Sequence, residues 1–238
     1  MIKLQISAKN AKKFDKIQSI FPNSDITIQI TEQCMVAQYI SEDKSLFLNI
    51  TLHSIFFNKF EYEHLKLPFI FSIFQTKIYK AGMIYLDIEI TTFIFRMIWH
   101  FNGYIFKKET FIADSDLYKL QYNPNVKLEL DCTMFADILK YLNGNSLDME
   151  VVKNGTMNLV AKSKKNAAST LVPVEIKYWK FDDLSFQIDV PFSSLRKVFS
   201  NLDDFTVCAI FFENDDAPLN VILDGAGFNL SYFIAIYF

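Results

Sequence analysis

Over residues 46–52 the chain alternates strictly: Leu46, Leu48, Ile50 and Leu52 share one side, and Phe47, Asn49 and Thr51 the other. A period of two predicts a strand with one buried face. The same pattern predicts strands over "DITIQI" at 25–30 and "SLDMEVV" at 146–152, and "TTFIFRMIWHF" at 91–101 and "APLNVIL" at 217–223 also read as strands. Elsewhere apolar residues recur at helical spacing, which predicts helices over 8–20, 69–80, 131–142 and 191–202. Their buried stripes are Ala11, Phe14, Ile17 and Phe21; then Phe71, Phe74 and Ile78; then Met134, Phe135, Ile138, Leu139 and Leu142; then Leu195, Val198, Phe199 and Leu202. The second and fourth helices open alike, on "LPFIFSIF" at 67–74 and "VPFSSLRKVF" at 190–199. Proline suits a first helical turn, where its missing N–H has no partner to lose. Hairpin turns are expected at "NG" 102–103, "NG" 154–155 and "DGAG" 224–227.

The elements come twice. "KLQISAKNAKKFDKIQSI" at 3–20 is a strand running into a helix, and "KLELDCTMFADILKYL" at 127–142 repeats it 124 residues on. Pro68 and Pro191 lie 123 apart. Each half reads as strand, helix, three strands, helix, three strands, an α+β pattern of two duplicated domains. The expected division is 1–112 and 126–238, joined by "ADSDLYKLQYNPN" at 113–125, which is polar and has no strong period. Leu117, Leu120 and Tyr122 are unusual in a solvated linker and are expected to lie against a sheet.

Composition narrows the class. The chain is 51% hydrophobic with 21% charged residues, enough to bury a full core. No apolar run approaches the ~18 residues of a membrane helix, and no signal peptide is expected before the first charged residues. Three cysteines without CxxC spacing fit a reducing compartment and no disulfide frame. The 25 phenylalanines accompany many Ile, Lys, Asn and Tyr, the residues that AT-rich coding favours together, so most are expected in the core.

The charge pattern carries more. The net charge is −3, yet the four helices together carry +6, leaving −9 for the remainder. In helix one, Lys9, Lys12, Lys13 and Lys16 fall within an arc of roughly 100°, opposite the apolar stripe. Lys77 and Lys80 lie on or beside the polar side of helix two, Lys140 on helix three, and Arg196 and Lys197 on helix four. Lysine is also a good exposed helix residue. The tight arc, without compensating glutamates, favours phosphate contact that does not read bases.

No enzyme signature stands out. His53, His64 and His100 lack metal-ligand spacing, and there is no Gly-rich phosphate loop, GxSxG or HExxH. The pairs Asp182–Asp183, Asp203–Asp204 and Asp215–Asp216 fall at turns, where solvated acids are common; a two-metal nuclease would need them facing inward. "AKSKKNAAST" at 161–170 is a basic loop open to phosphate contact or to plain solvation. No cofactor and no catalytic or metal site is expected.

With duplicated halves, basic helix faces and a central linker, the chain resembles the sliding DNA clamps. "CMVAQYISEDKSLFLNITLHSIFF" is similar to a family stretch, and "KIYKAG" at 77–82 resembles the second helix of the replication clamp, proliferating cell nuclear antigen. "LPFIFSIFQT", "WHFNGYIFKKETFIADSDLYKLQY" and "ENDDAPLNVILDGAGFNLSYFIAIYF" look most like the Rad-nine subunit of the checkpoint nine-one-one clamp. The family's Ala-Thr ending is here Ala235-Ile236, and the long signalling tail usual in that subunit is not part of these 238 residues. The resemblance implies a non-enzymatic subunit of a nuclear, heterotrimeric ring around duplex DNA. A homotrimeric replication clamp is the alternative. Its partners would be two other clamp subunits, a clamp loader, and repair and signalling proteins bearing short hydrophobic peptides, with no membrane. The nine helix cations would face DNA. Ile40, Phe47, Leu117, Leu120 and Tyr122 would line a peptide groove under the connector.

Overall fold

The computed structural model describes residues 1–21, 24–62, 68–124, 126–152, 156–162, 170–176, 178–180, 185–200, 205–213 and 217–235. The chain divides into two compact units: Met1–Glu42 with Asn49–Lys119 and Ala226–Phe228, and Asp43–Leu48 with Leu120–Gly225 and Asn229–Phe238.

The first half opens with strand β1 (Ile2–Ser7) and helix α1 (Ala8–Gln18). Then come β2 (Asp25–Ile30), β3 (Cys34–Ile40), β4 (Leu46–His53), a 3-10 turn at Ser54–Phe56, β5 (Lys59–Tyr62) and β6 (Phe69–Phe74). It ends with β7 (Met83–Ile90), β8 (Ile94–Phe101), β9 (Ile105–Phe111) and the two-residue β10 (Ala113–Asp114). One antiparallel sheet runs β5-β1-β7-β8-β9; in the other, β10-β6-β2-β3 follow one another and β4 lies beside β3. The second half has β11 (Val126–Asp131), α2 (Cys132–Tyr141), β12 (Ser146–Val152), β13 (Thr156–Lys162), β14 (Thr170–Glu175) and β15 (Tyr178–Lys180). It closes with β16 (Ser185–Pro191), α3 (Phe192–Phe199), β17 (Phe205–Phe212), β18 (Leu219–Gly225) and β19 (Phe228–Ile234). Its strands follow β15-β11-β17-β18-β19 and β16-β12-β13-β14. The two halves therefore repeat one strand order, sheet for sheet.

The first helices form where sequence periodicity places them. Ser7 caps α1, its Oγ accepting from the Asn10 amide at 3.2 Å. Asp131, 124 residues later, caps α2 by accepting from the Met134 amide at 2.9 Å. Ala11, Phe14, Ile17 and Phe21 are buried as expected. On α2, Phe135, Leu139 and Leu142 are buried, but Met134 is 37% exposed and Ile138 half-buried; Ala136 and Cys132 take the inner positions. On α3, Leu195, Val198 and Phe199 are buried as expected, whereas Leu202 lies outside the described residues. Among the described residues, no helix is long and apolar enough to cross a membrane.

The expected helix over 69–80 is not there, so among the described residues the first half has one α-helix, α1. Phe69–Phe74 is strand β6, paired with β2 from Asp25↔Phe74 to Ile30↔Phe69 and with β10 at Ser72 and Phe71. Phe71 and Ile73 point inward while Phe74 is 56% exposed. Five of the six residues in "FIFSIF" are apolar, so a period of two and a period of 3.6 both find apolar positions, and aromatic and β-branched residues suit a pleated sheet. The two proline-phenylalanine pairs therefore serve different ends: Pro68 precedes a strand, where no ladder donor is needed, and Pro191 closes β16 and occupies the cap of α3.

Candidate nucleic-acid interface

In the first unit the cations gather on α1 and on the segment that replaces the second helix. Lys9 and Lys12 are exposed, and Lys13 and Lys16 half-buried; the Lys13 ammonium lies 5.8 Å from the centroid of the Phe228 ring. Residues Gln75–Lys80 form an extended strap beside α1. Without a helical ladder, the strap is held largely by side chains, beside a backbone bond from the Gln75 amide to the Ser24 carbonyl at 3.0 Å. Both Asp15 carboxylate oxygens accept from strap amides, Oδ1 from Ile78 and Oδ2 from Tyr79, each at 2.8 Å. Gln18 Nε2 donates to the Thr76 carbonyl at 3.3 Å, and Gln75 Nε2 donates back to the Gln18 carbonyl at 2.8 Å. Gln18 is itself held by the buried Tyr39 hydroxyl at 3.1 Å. The strap's other side is fixed by Trp99 Nε1, which donates to the Ile78 carbonyl at 2.5 Å.

Burial raises the Asp15 carboxyl above its ordinary range, against the pull of the Ile78 and Tyr79 amides, Gln18 and the nearby Lys77. Lys77 itself is exposed. Lys80 is half-buried, with its ammonium 4.8 Å from the Trp99 centroid and 4.5 Å from that of Phe106. Lys12, Lys16 and Lys77, with Asp15, Gln18, Ser19, Gln75 and Tyr79, surround an open concavity of about 570 Å³.

In the second unit, Arg196 spends its guanidinium on protein. Its Nε donates to the Leu139 carbonyl at 2.9 Å, and its Nη2 to the carbonyls of Lys140 and Leu142. It thus closes the C-terminus of α2, whose last carbonyls lack helical partners. Lys140 is exposed and pairs with Asp137 at 2.7 Å; Lys197 is exposed.

The five expected groove residues fall into separate groups. Ile40 and Leu117 line an open concavity of about 620 Å³ with Asp25, Glu42, Asp116 and Tyr118. There the connector is bound like a strand: Gln38 Oε1 accepts from the Tyr118 amide at 2.9 Å and Gln38 Nε2 donates to the Tyr118 carbonyl at 3.2 Å. Phe47 and Tyr122 instead meet around Phe233, each ring 5.6 Å from its centroid. Leu120 is half-buried. His100 pairs with Asp87 at 2.8 Å and stacks on Tyr85; His53 is exposed, and His64 lies outside the described residues. So do the three aspartate pairs, Ile236 and most of the 161–170 loop. Among the described residues, no cluster of His, Cys, Asp and Glu could hold a metal ion.

No protein-family model matches the sequence, and no curated protein matches it. Solved structures do. The chain is similar to a chain of the PCNA2–PCNA3 complex of Sulfolobus tokodaii, at a TM-score of 0.75 and 14% identity over 98% of both chains. It is similar to the proliferating cell nuclear antigen of Entamoeba histolytica, at 0.77 and 12% identity over 100% of this chain and 99% of that one. For that of Thermococcus kodakaraensis the values are 0.77 and 11%, over 100% of both. The chain has the clamp fold.

Within the clamp fold, sequence reasoning missed Asp15 and Gln18. Both were visible in one respect: Asp15 is the single acid on a helix with four lysines, and Gln18 stands three residues on, one helical turn along the same side. It also missed Gln38, whose amide does the work of a backbone bridge, and Phe233, which gathers two groove candidates. Nothing local marks either residue, because each acts on a segment far away in sequence.

Proposed function

We propose that this chain is a non-enzymatic subunit of a ring-shaped sliding clamp that encircles duplex DNA, of the Rad-nine type found in the heterotrimeric checkpoint clamp. The observation that carries the reading is the concentration of positive charge on α1, the strap and α3 of a clamp-fold chain that is acidic overall. Loose phosphate contact by such cations is sequence-independent and permits sliding. Subunits would join through open sheet edges such as β9, where Ile105, Phe106 and Phe111 are exposed at 57%, 46% and 83%. The connector region would take short peptides with aromatic and aliphatic anchors, and the ring would meet a clamp loader in the nucleus. A homotrimeric replication clamp is the second reading, favoured by the likeness to proliferating cell nuclear antigens.

A mass measurement separates the two. The pure 27.7 kDa chain should be monomeric if its ring is heterotrimeric, and a stable homotrimer would establish the replication type. In the ring, changing Lys9, Lys12, Lys13 and Lys16 to Glu should leave assembly intact and weaken DNA retention. The slope of log affinity against log salt should shrink by about 0.9 per lost contact; an unchanged slope rejects these lysines as DNA contacts. Leu120→Ser with Tyr122→Ser should abolish peptide binding and spare DNA retention, and unfolding instead would make them core residues.

A further inference from the structure

A carboxylate in the middle of a lysine cluster ordinarily weakens phosphate binding, by offsetting the positive field. Asp15 occupies that position on α1, and the geometry shows what it does there. Both of its oxygens are taken by the strap amides of Ile78 and Tyr79. The residue immediately before those amides is Lys77, whose charge acts on the Asp15 carboxyl. The strap has no helical hydrogen bonds to set its path: before Lys77 the Gln75 amide donates to the Ser24 carbonyl at 3.0 Å, and after it the path is held by these Asp15 contacts, with Gln18 and Trp99 alongside. Lys12 and Lys16 lie one helical turn apart on α1, and Lys77 lines the same concavity, together with Asp15 itself and the neutral hydrogen-bonding groups of Gln18, Ser19, Gln75 and Tyr79.

We propose that Asp15 is a positioning residue of a phosphate-binding concavity built from α1 and the strap. By clamping the Ile78 and Tyr79 amides it holds Lys77 beside Lys12 and Lys16, so that the three engage one stretch of phosphodiester backbone. This rests on the DNA-clamp reading above. It departs from a uniform basic lining, because it makes one acid necessary for cation placement.

The sign of one substitution decides it. Asp15→Asn raises the net charge of the face by one. If Asp15 were only a charge, the variant would bind linear duplex DNA more tightly. If Asp15 positions Lys77, the variant binds more weakly, and its salt slope falls by about 0.9, the contribution of one phosphate contact. Lys77→Ala should show the same fall, and the double variant no further fall, because both remove one contact. Hydrogen exchange supplies a readout independent of DNA: the amides of Ile78 and Tyr79 should lose protection in Asp15→Asn while those of α1 keep it. Asp15→Glu keeps the charge but displaces the carboxylate, and should lower the slope in the same direction, which covers a failure of the Asn variant to fold. Tighter binding, an unchanged slope or retained amide protection in a folded variant overturns the proposal and leaves the clamp reading standing. Absence of salt-dependent DNA binding by the unmodified protein in its assembled state overturns both.

Discussion

Between β6 and β7 the first half runs through the strap; between β16 and β17, the same point in the repeated strand order, the second half has α3. The two solve one problem differently. Each must cover an apolar sheet face without leaving backbone groups unpaired. Helix α3 pairs its inner backbone groups within itself, with its first amide, Phe192, donating to the Asn145 carbonyl at 3.2 Å, and presents Leu195, Val198 and Phe199 as a buried stripe, with Phe199 edge-on to Phe135 at 4.9 Å. The strap covers its face with Ile78 and hands its amides to Asp15 and a carbonyl to Trp99. A helix is locally self-sufficient, whereas an extended segment relies on polar side chains from its neighbours. The duplication conserves the space to be filled and leaves the means open.

The comparison can be broken first at its apolar anchors. Phe199→Ala should cost about 3–5 kcal/mol and Ile78→Ala about 2 kcal/mol, since the strap can settle more readily than a helix into the space left. Thermal unfolding measures both, and a larger loss at Ile78 would show the strap to be the more tightly packed of the two. Next comes the polar anchor. Asp15→Ala removes a charged acceptor from two backbone donors and should cost about 2 kcal/mol, part of it recovered because a half-buried charge is no longer desolvated. Denaturant titration gives the loss, and amide exchange should confine the damage to the strap. Arg196→Ala should cost about 1 kcal/mol, by opening the end of α2 rather than by unwinding α3. Arg196→Lys should restore little, because one ammonium cannot span the three carbonyls that the planar fork reaches.

The smallest effect is a pH dependence. Burial pushes the Cys132 thiol, at the start of α2, from 9.0 to about 11. A raised thiol pKa favours the neutral form in the folded state. Its contribution to stability is therefore complete below pH 9, where the unfolded thiol is also neutral, and is lost as pH rises from about 9 towards 11. Unfolding measured across that window should show a decline that Cys132→Ala reduces. Cys208, also buried with its thiol raised, contributes in the same direction.

The legible parts share a cause. The strand-to-helix openings at 2–18 and 126–141 were readable because the signals are local: alternation, then a capping Ser7 or Asp131, then apolar residues one turn apart. The lysine arc on α1 followed from the same periodicity. The grouping of the peptide-groove candidates was not readable: Ile40 and Leu117 line one concavity while Phe47 and Tyr122 turn to Phe233. Which apolar residues meet under a connector depends on pairings across tens of residues, and no window along the chain contains them.

By itself the sequence determined the duplication, the α+β class, the first helix of each half and the arc of lysines on α1. Each of these is a short-range property, set by residue type and spacing within about one or two turns. Only the tertiary structure decided that Phe69–Phe74 is a strand and that the residues after it run as a strap. "FIFSIF" satisfies both periods, and the choice fell to β2, which offers that segment a full antiparallel ladder. Once β6 was drawn into the sheet, the amides of Ile78 and Tyr79 needed acceptors, and Asp15, 63 and 64 residues away in sequence, was the carboxylate within reach. A hydrogen-bond demand created by long-range pairing can be met only by residues that the same pairing brings near.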